Sequence, residues 1–190
     1  MVKKLLVIAF LGFTTIVCGQ TESKLHIRTG VGIGKEYHYF NKADVGMSIN
    51  LIEVAYYPIK HGDFQYGLVV QNGGTFLEET YNVVSDATET IKISGTYLGV
   101  TVNYLLSDKI NCGAKISGGQ INLMENANSS FNNMNRGIGM NFGVDLKYNF
   151  NKRWGLYLAS ENQLGKVELT QDSNANLRMV TVTMGLMVKF

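Results

Sequence analysis

Along most of this chain, apolar residues recur at every second position. The final stretch shows it plainly. Val180, Val182, Met184, Leu186, Val188 and Phe190 fall on one side, and Met179, Thr181, Thr183, Gly185, Met187 and Lys189 on the other. Strand side chains alternate between faces, so a period of two predicts a β-strand with one apolar and one mixed face. The same alternation predicts seven earlier strands. Leu25–Ile33 is the first and Val45–Ile59 the second. In the second, Met47, Ile49 and Leu51 run one residue out of phase with Ile52, Val54 and Tyr56, which a β-bulge near Leu51–Ile52 reconciles. Phe64–Val70, Leu98–Tyr104, Ile110–Ile116, Met140–Phe150 and Trp154–Leu158 supply the apolar rows of the third to seventh. No amphipathic helical period persists beyond residue 20.

The connections alternate in length. Polar stretches at 35–44, 73–90, 122–136 and 165–175 read as long loops, and 60–63, 107–109 and 151–153 as tight turns. Up-and-down antiparallel strands would gather the loops at one end and the turns at the other. Tyr56, Phe64, Tyr66, Tyr104, Tyr148, Phe150 and Trp154, with Tyr57 and the terminal Phe190, cluster beside the turns. A girdle of amphipathic rings at one level is what a membrane–water interface selects. Tyr37, Tyr39 and Phe40 would begin the opposite belt.

The mixed face decides which side is inside. It carries much of the glycine together with Arg28, Glu53, Lys115, Asp145, Lys147, Glu161 and Lys189. A soluble barrel would turn its apolar face inward. Here the apolar face is almost free of charge over a length that suits a strand of about 9–11 residues crossing a bilayer. A narrow lumen can hold charges if they pair, and only helices and closed barrels cross lipid with their backbone groups satisfied. The fold predicted is therefore all-β, an eight-stranded antiparallel up-and-down transmembrane β-barrel. In it the seven charged residues form a lumen network.

Met140–Phe150 (MNFGVDLKYNF), Tyr97–Leu106 (YLGVTVNYLL) and Val180–Phe190 carry a resemblance. The chain resembles the small eight-stranded outer-membrane barrels of Gram-negative bacteria, the OmpA/OmpX type and the related porin-family outer membrane beta-barrel domain proteins. The resemblance implies a location in the cell outer membrane and makes Phe190 an assembly signal for the barrel-assembly machinery. Val188 departs from it, since many relatives carry an aromatic there.

Composition adds the export route. Lys3 and Lys4, the uncharged run Leu5–Val17 and the small Gly19 have the layout of a secretory signal peptide. Residues 1–19 are thus expected to be removed, leaving the barrel domain at 20–190; lipidation at Cys18 is the competing reading. Loss of Lys3 and Lys4 from 17 basic residues leaves 15, against 15 acidic ones. That neutrality argues against a nucleic-acid surface. Cys112 then stands alone, so no internal disulfide forms.

Catalytic chemistry finds little support. His26, His38 and His61 are the histidines, and only His38 stands where outer-leaflet lipid could reach. It lacks a serine neighbour in the spacing of a lipid hydrolase. No cluster has metal-ligand spacing. Gly30-x-Gly32-x-Gly34 lacks the helix of a phosphate loop and reads as lumen-facing glycine. The expectation is a non-enzymatic barrel without catalytic residues, cofactor or metal, whose lumen is filled by a salt-bridged plug. Its expected partners are outer-membrane lipid, the assembly machinery and a surface ligand reached through loops 73–90 and 122–136, and it is expected to be a monomer. The alternatives are a narrow pore for small solutes, a lipid-modifying enzyme and a soluble ligand-binding barrel.

Overall fold

The computed structural model describes residues 24–37, 45–81, 87–125, 133–169 and 173–190. Residues 1–19, where a signal peptide is expected, and His38, Tyr39 and Phe40 lie outside them. Eight strands follow in order: β1 (Leu25–Glu36), β2 (Gly46–His61), β3 (Phe64–Tyr81), β4 (Ala87–Leu105), β5 (Ile110–Glu125), β6 (Asn133–Asn149), β7 (Trp154–Leu169) and β8 (Ser173–Lys189). Each pairs antiparallel with the next, and β8 returns to β1 to close the barrel. The closing strand therefore has partners on both edges, Trp154–Leu169 on one side and His26–Glu36 on the other. Leu25 and Phe190 lock the seam: the Leu25 N–H donates to the Phe190 carbonyl at 3.2 Å, and the Phe190 N–H to the Leu25 carbonyl at 2.8 Å.

The register fixes the tilt. Stepping across paired residues from His26 through Ala55, Val69, Gly99, Ser117, Asn141, Gln163 and Met179 arrives at Glu36, ten residues further along β1. Such a stagger requires strands inclined to the barrel axis. Because ten is even, one face of every strand stays inward around the whole circuit. Leu98, Val144 and Met184 are exposed outward, while Arg28, Lys147 and Glu161 are buried within.

Two irregularities bend β2. Leu51 is an extra residue relative to both neighbours: Arg28 and Gly30 face Glu53 and Asn50 on one side, and Gly73 and Asn72 face Asn50 and Ile52 on the other. The bulge turns Leu51 and Ile52 both outward and so keeps Asn50 and Glu53 both inside. A second shift falls between Tyr56 and Ile59, at Pro58, which has no N–H for the ladder. Gly62 takes the φ of 60° that suits the two-residue hairpin between β2 and β3.

Three of the four long polar segments are largely strand. Residues 73–90 contribute to β3 up to Tyr81 and to β4 from Ala87, and 122–136 supply the end of β5 and the start of β6. Likewise, β7 runs to Leu169 and β8 begins at Ser173. Polarity marked these residues as loop, but above an apolar band the outer face can be polar while the ladder continues. The inner face there is a packed cluster of Leu77, Ile91, Ile93, Ile121, Leu123, Val167, Leu177 and Met179. Tyr57 is a second correction: it follows Glu53 and Ala55 inward and is buried, not part of the outer girdle.

Val144 is exposed at mid-height on β6. Val144→Arg should reduce folding stability in lipid by about 2–4 kcal/mol, whereas Val144→Leu should change it little. Urea titration of the protein refolded into vesicles reads both.

Candidate functional site: the barrel lumen

Inward alternation brings six of the seven predicted charges together. Arg28 (β1) bridges Glu53 (β2) and Asp145 (β6), each at 2.7 Å. Asp145 also meets Lys147 at 3.0 Å, two residues on along the same strand face. Lys115 (β5) bridges Glu53 and Glu161 (β7), at 2.5 and 2.7 Å. The connected order is Lys147, Asp145, Arg28, Glu53, Lys115, Glu161. Positive and negative alternate along it, three of each, so the set is neutral. Lys189 is inward too, but it stands partly exposed at the turn-side mouth, with no ion pair among the described residues.

Neutral side chains supply further partners to the network, while Arg28 Nε and Asn141 Oδ1 stay buried without one among the described residues. Gln71 accepts from Lys115 at 2.8 Å and donates to Glu161 at 2.8 Å. Asn141 donates to Gln71 and Glu161, both at 2.8 Å. At the turn-side end, Lys147 donates to Asn103 at 2.9 Å, and Asn103 donates to Gln65 at 2.8 Å. Aromatic faces cover the cations: Arg28 lies 4.7 Å from the Tyr157 ring centroid and Lys147 5.8 Å from that of Tyr57. A Cβ at Gly30 would collide with the Tyr157 hydroxyl and the Met184 carbonyl, so glycine there makes room for the ring that covers Arg28. Above the charges, Tyr97 donates to Gln163 at 3.2 Å, and the apolar cluster follows.

Searches against protein-family models and against curated proteins found no match. Solved structures do match. Neisserial surface protein A superposes with a TM-score of 0.67 at 14% identity, covering 87% of this chain and 97% of that one. Ail, the attachment invasion locus protein of Yersinia pestis, gives 0.57 at 10% identity over 90% of this chain and 100% of that one. The outer membrane protein OprG of Pseudomonas aeruginosa gives 0.52 at 12% identity over 90% and 98%. The fold is that of a small outer-membrane β-barrel.

A transmembrane barrel of this kind needs its rings at the lipid boundary. Phe64 and Tyr104 pack at 4.7 Å between centroids, Phe64 and Tyr66 at 6.2 Å, and Tyr148 and Phe150 at 5.6 Å. Trp154 is exposed at the same end, opposite Val188, and Tyr56 faces Leu68. Tyr37 is exposed at the other end of β1. Of the histidines, His26 is buried against Tyr57 at 4.9 Å and His61 is exposed beside a turn. Among the described residues, no three His, Cys, Asp or Glu converge as a metal site.

Sequence reasoning missed the amides and the apolar cluster. The amides stand in the inward phase beside the charges, as Gln71 and Asn141 do, and that phase was the available signal. Ile91 and Ile93, Ile121 and Leu123, and Leu177 and Met179 also alternate in twos.

Asp145 holds both Arg28 and Lys147. Asp145→Asn should destabilise the barrel by about 3–5 kcal/mol, because it strands buried positive charge. Lys189→Met should stay within about 0.5 kcal/mol. The heat-modifiable gel shift and urea midpoints compare the two.

Proposed function

We propose that this chain is a non-enzymatic, non-conducting integral barrel of the cell outer membrane, with a structural or surface-interaction role. The observation that carries this reading is the filled lumen. The charge chain crosses the middle of the barrel, its amides occupy the gaps, and the apolar cluster seals the interior above it. Eight strands leave an interior that side chains just fill. A conducting path would need water between those charges, yet each is held by a direct partner.

Of the histidines weighed for catalysis, His26 is among the described residues and His38 is not. His26 is shut inside the barrel beside Tyr57, and its Nδ1 has no partner. No serine or cysteine nucleophile is hydrogen-bonded to it. The apolar outer band is suited to membrane lipid, and Phe190, hydrogen-bonded at the seam, is suited to recognition by the assembly machinery. Surface contact falls to the strand ends beyond the apolar band, chiefly the β3–β4 and β5–β6 hairpins, which include most of 73–90 and 122–136.

In planar bilayers the protein should insert without steady single-channel conductance. Steady conductance that disappears when Lys115 and Asp145 are replaced by alanine would overturn the plug and favour a narrow pore.

A further inference from the structure

Four basic side chains stand on the outer surface of four adjacent strands: Arg136 on β6, Lys166 on β7, Arg178 on β8 and Lys35 on β1, all exposed. Ile138 pairs with Lys166, Asn176 with Lys166, and Val180 with Lys35. Each cation is therefore the diagonal neighbour of the next, two residues from its direct partner. Diagonal neighbours across a sheet lie within about 7–8 Å. Strand tilt makes this diagonal run nearly level around the barrel. Among the described residues, Arg136, Lys166 and Arg178 have no ion-pair partner. Lys35 lies over the Tyr37 ring at 5.6 Å.

Their height is set by the strands. Twelve residues separate Tyr148 in the aromatic girdle from Arg136, and twelve separate Trp154 from Lys166. At about 3.3 Å per residue and a tilt of about 40°, this is roughly 30 Å along the membrane normal. The apolar band of such barrels is about 25 Å tall, so the cations stand just beyond it. Ile138, Met140, Phe142, Val144 and Leu146 fill the interval on β6, all exposed and apolar. The row is also one-sided. Among the described residues, the corresponding level across β2 to β4 carries Met47 and Phe76, with Lys92 as its one cation, lying over the Phe76 ring at 5.1 Å. Simple snorkelling of long side chains to the interface would not favour one side of the barrel.

A groove of about 640 Å³ opens on this face, lined by Gln120, Arg136, Gly137, Lys166, Glu168 and Asn174. It offers two cations, two neutral polar groups and bare glycine backbone, against one carboxylate. Arginine and lysine side by side suit phosphate oxygens.

We propose that the β6–β7–β8–β1 face binds the phosphate groups of anionic lipid in the outer leaflet, with Arg136, Lys166 and Arg178 as the principal contacts. The proposal rests on the membrane-barrel reading. A membrane lipid is the occupant favoured because the row points sideways at the edge of the apolar band, where headgroups lie, not upward into water.

The test uses the protein refolded into uncharged detergent micelles. It is titrated with a bis-phosphorylated acylated glucosamine disaccharide, with the same lipid dephosphorylated, and with inositol hexakisphosphate as a soluble polyanion. Wild type should bind the phosphorylated lipid at least tenfold more tightly than the dephosphorylated one, and inositol hexakisphosphate weakly. R136Q/K166Q/R178Q should fold with an unchanged gel shift and lose the preference to within twofold. K109Q/K152Q, at the opposite end, should keep it. If the triple variant fails to fold, R136Q and K166Q singly should each lose about threefold. Equal binding of the two lipids by folded wild type, a preference that survives the substitutions, or equally tight binding of inositol hexakisphosphate would overturn the proposal. Failure of wild type to fold in micelles or vesicles would count instead against the barrel reading.

Discussion

Six buried charges, each balanced by its neighbour along one alternating chain, are the constraint on which the rest of this barrel depends. Lys147, Asp145, Arg28, Glu53, Lys115 and Glu161 come from β6, β1, β2, β5 and β7. No two consecutive members carry the same sign, so desolvation is offset link by link. The Leu51 bulge matters for that reason: without it, β2 could not present Asn50 and Glu53 to the same interior. The even stagger matters likewise, because an odd one would turn a strand's charges into lipid.

The barrel has two regimes along its axis. Through the apolar band its outside is hydrophobic and its inside polar. Beyond the band the arrangement inverts: Leu77, Ile93, Leu123, Val167 and Leu177 pack within, while Asn122, Arg136, Lys166, Asn176 and Arg178 face out. The same antiparallel ladder serves both regimes, since hydrogen bonding between strands is indifferent to which face is wet. The inversion packs the lumen above the charges with an ordinary hydrophobic core and turns the cations of that end outward.

Much of this was legible in the sequence. The period of two gave the sidedness of all eight strands, and the phase slip at Leu51–Ile52 gave the bulge. The charged members of the lumen were readable because a charge in the mixed row has nowhere else to go. What was not legible has physical causes. Residues 73–90 and 122–136 read as loop because their polarity was taken as irregular structure, whereas an outer face beyond the membrane is free to be polar in a strand. Tyr57 read as girdle because aromatic identity was weighed above its phase. The pairing order of the charges depends on distances across the lumen between β1, β2, β5, β6 and β7, which no local pattern encodes.

The alternating chain has a consequence that separate ion pairs would not have. Removing Arg28 alone or Glu53 alone leaves an odd charge buried. Removing both leaves two neutral pairs, Lys147 with Asp145 and Lys115 with Glu161. Urea unfolding of Arg28→Met, Glu53→Met and the double variant in vesicles therefore tests the account most directly. Each single substitution should cost about 3–5 kcal/mol, and the double should cost less than either. A double variant whose loss equals the sum of the two singles would contradict a connected chain and leave only independent contacts.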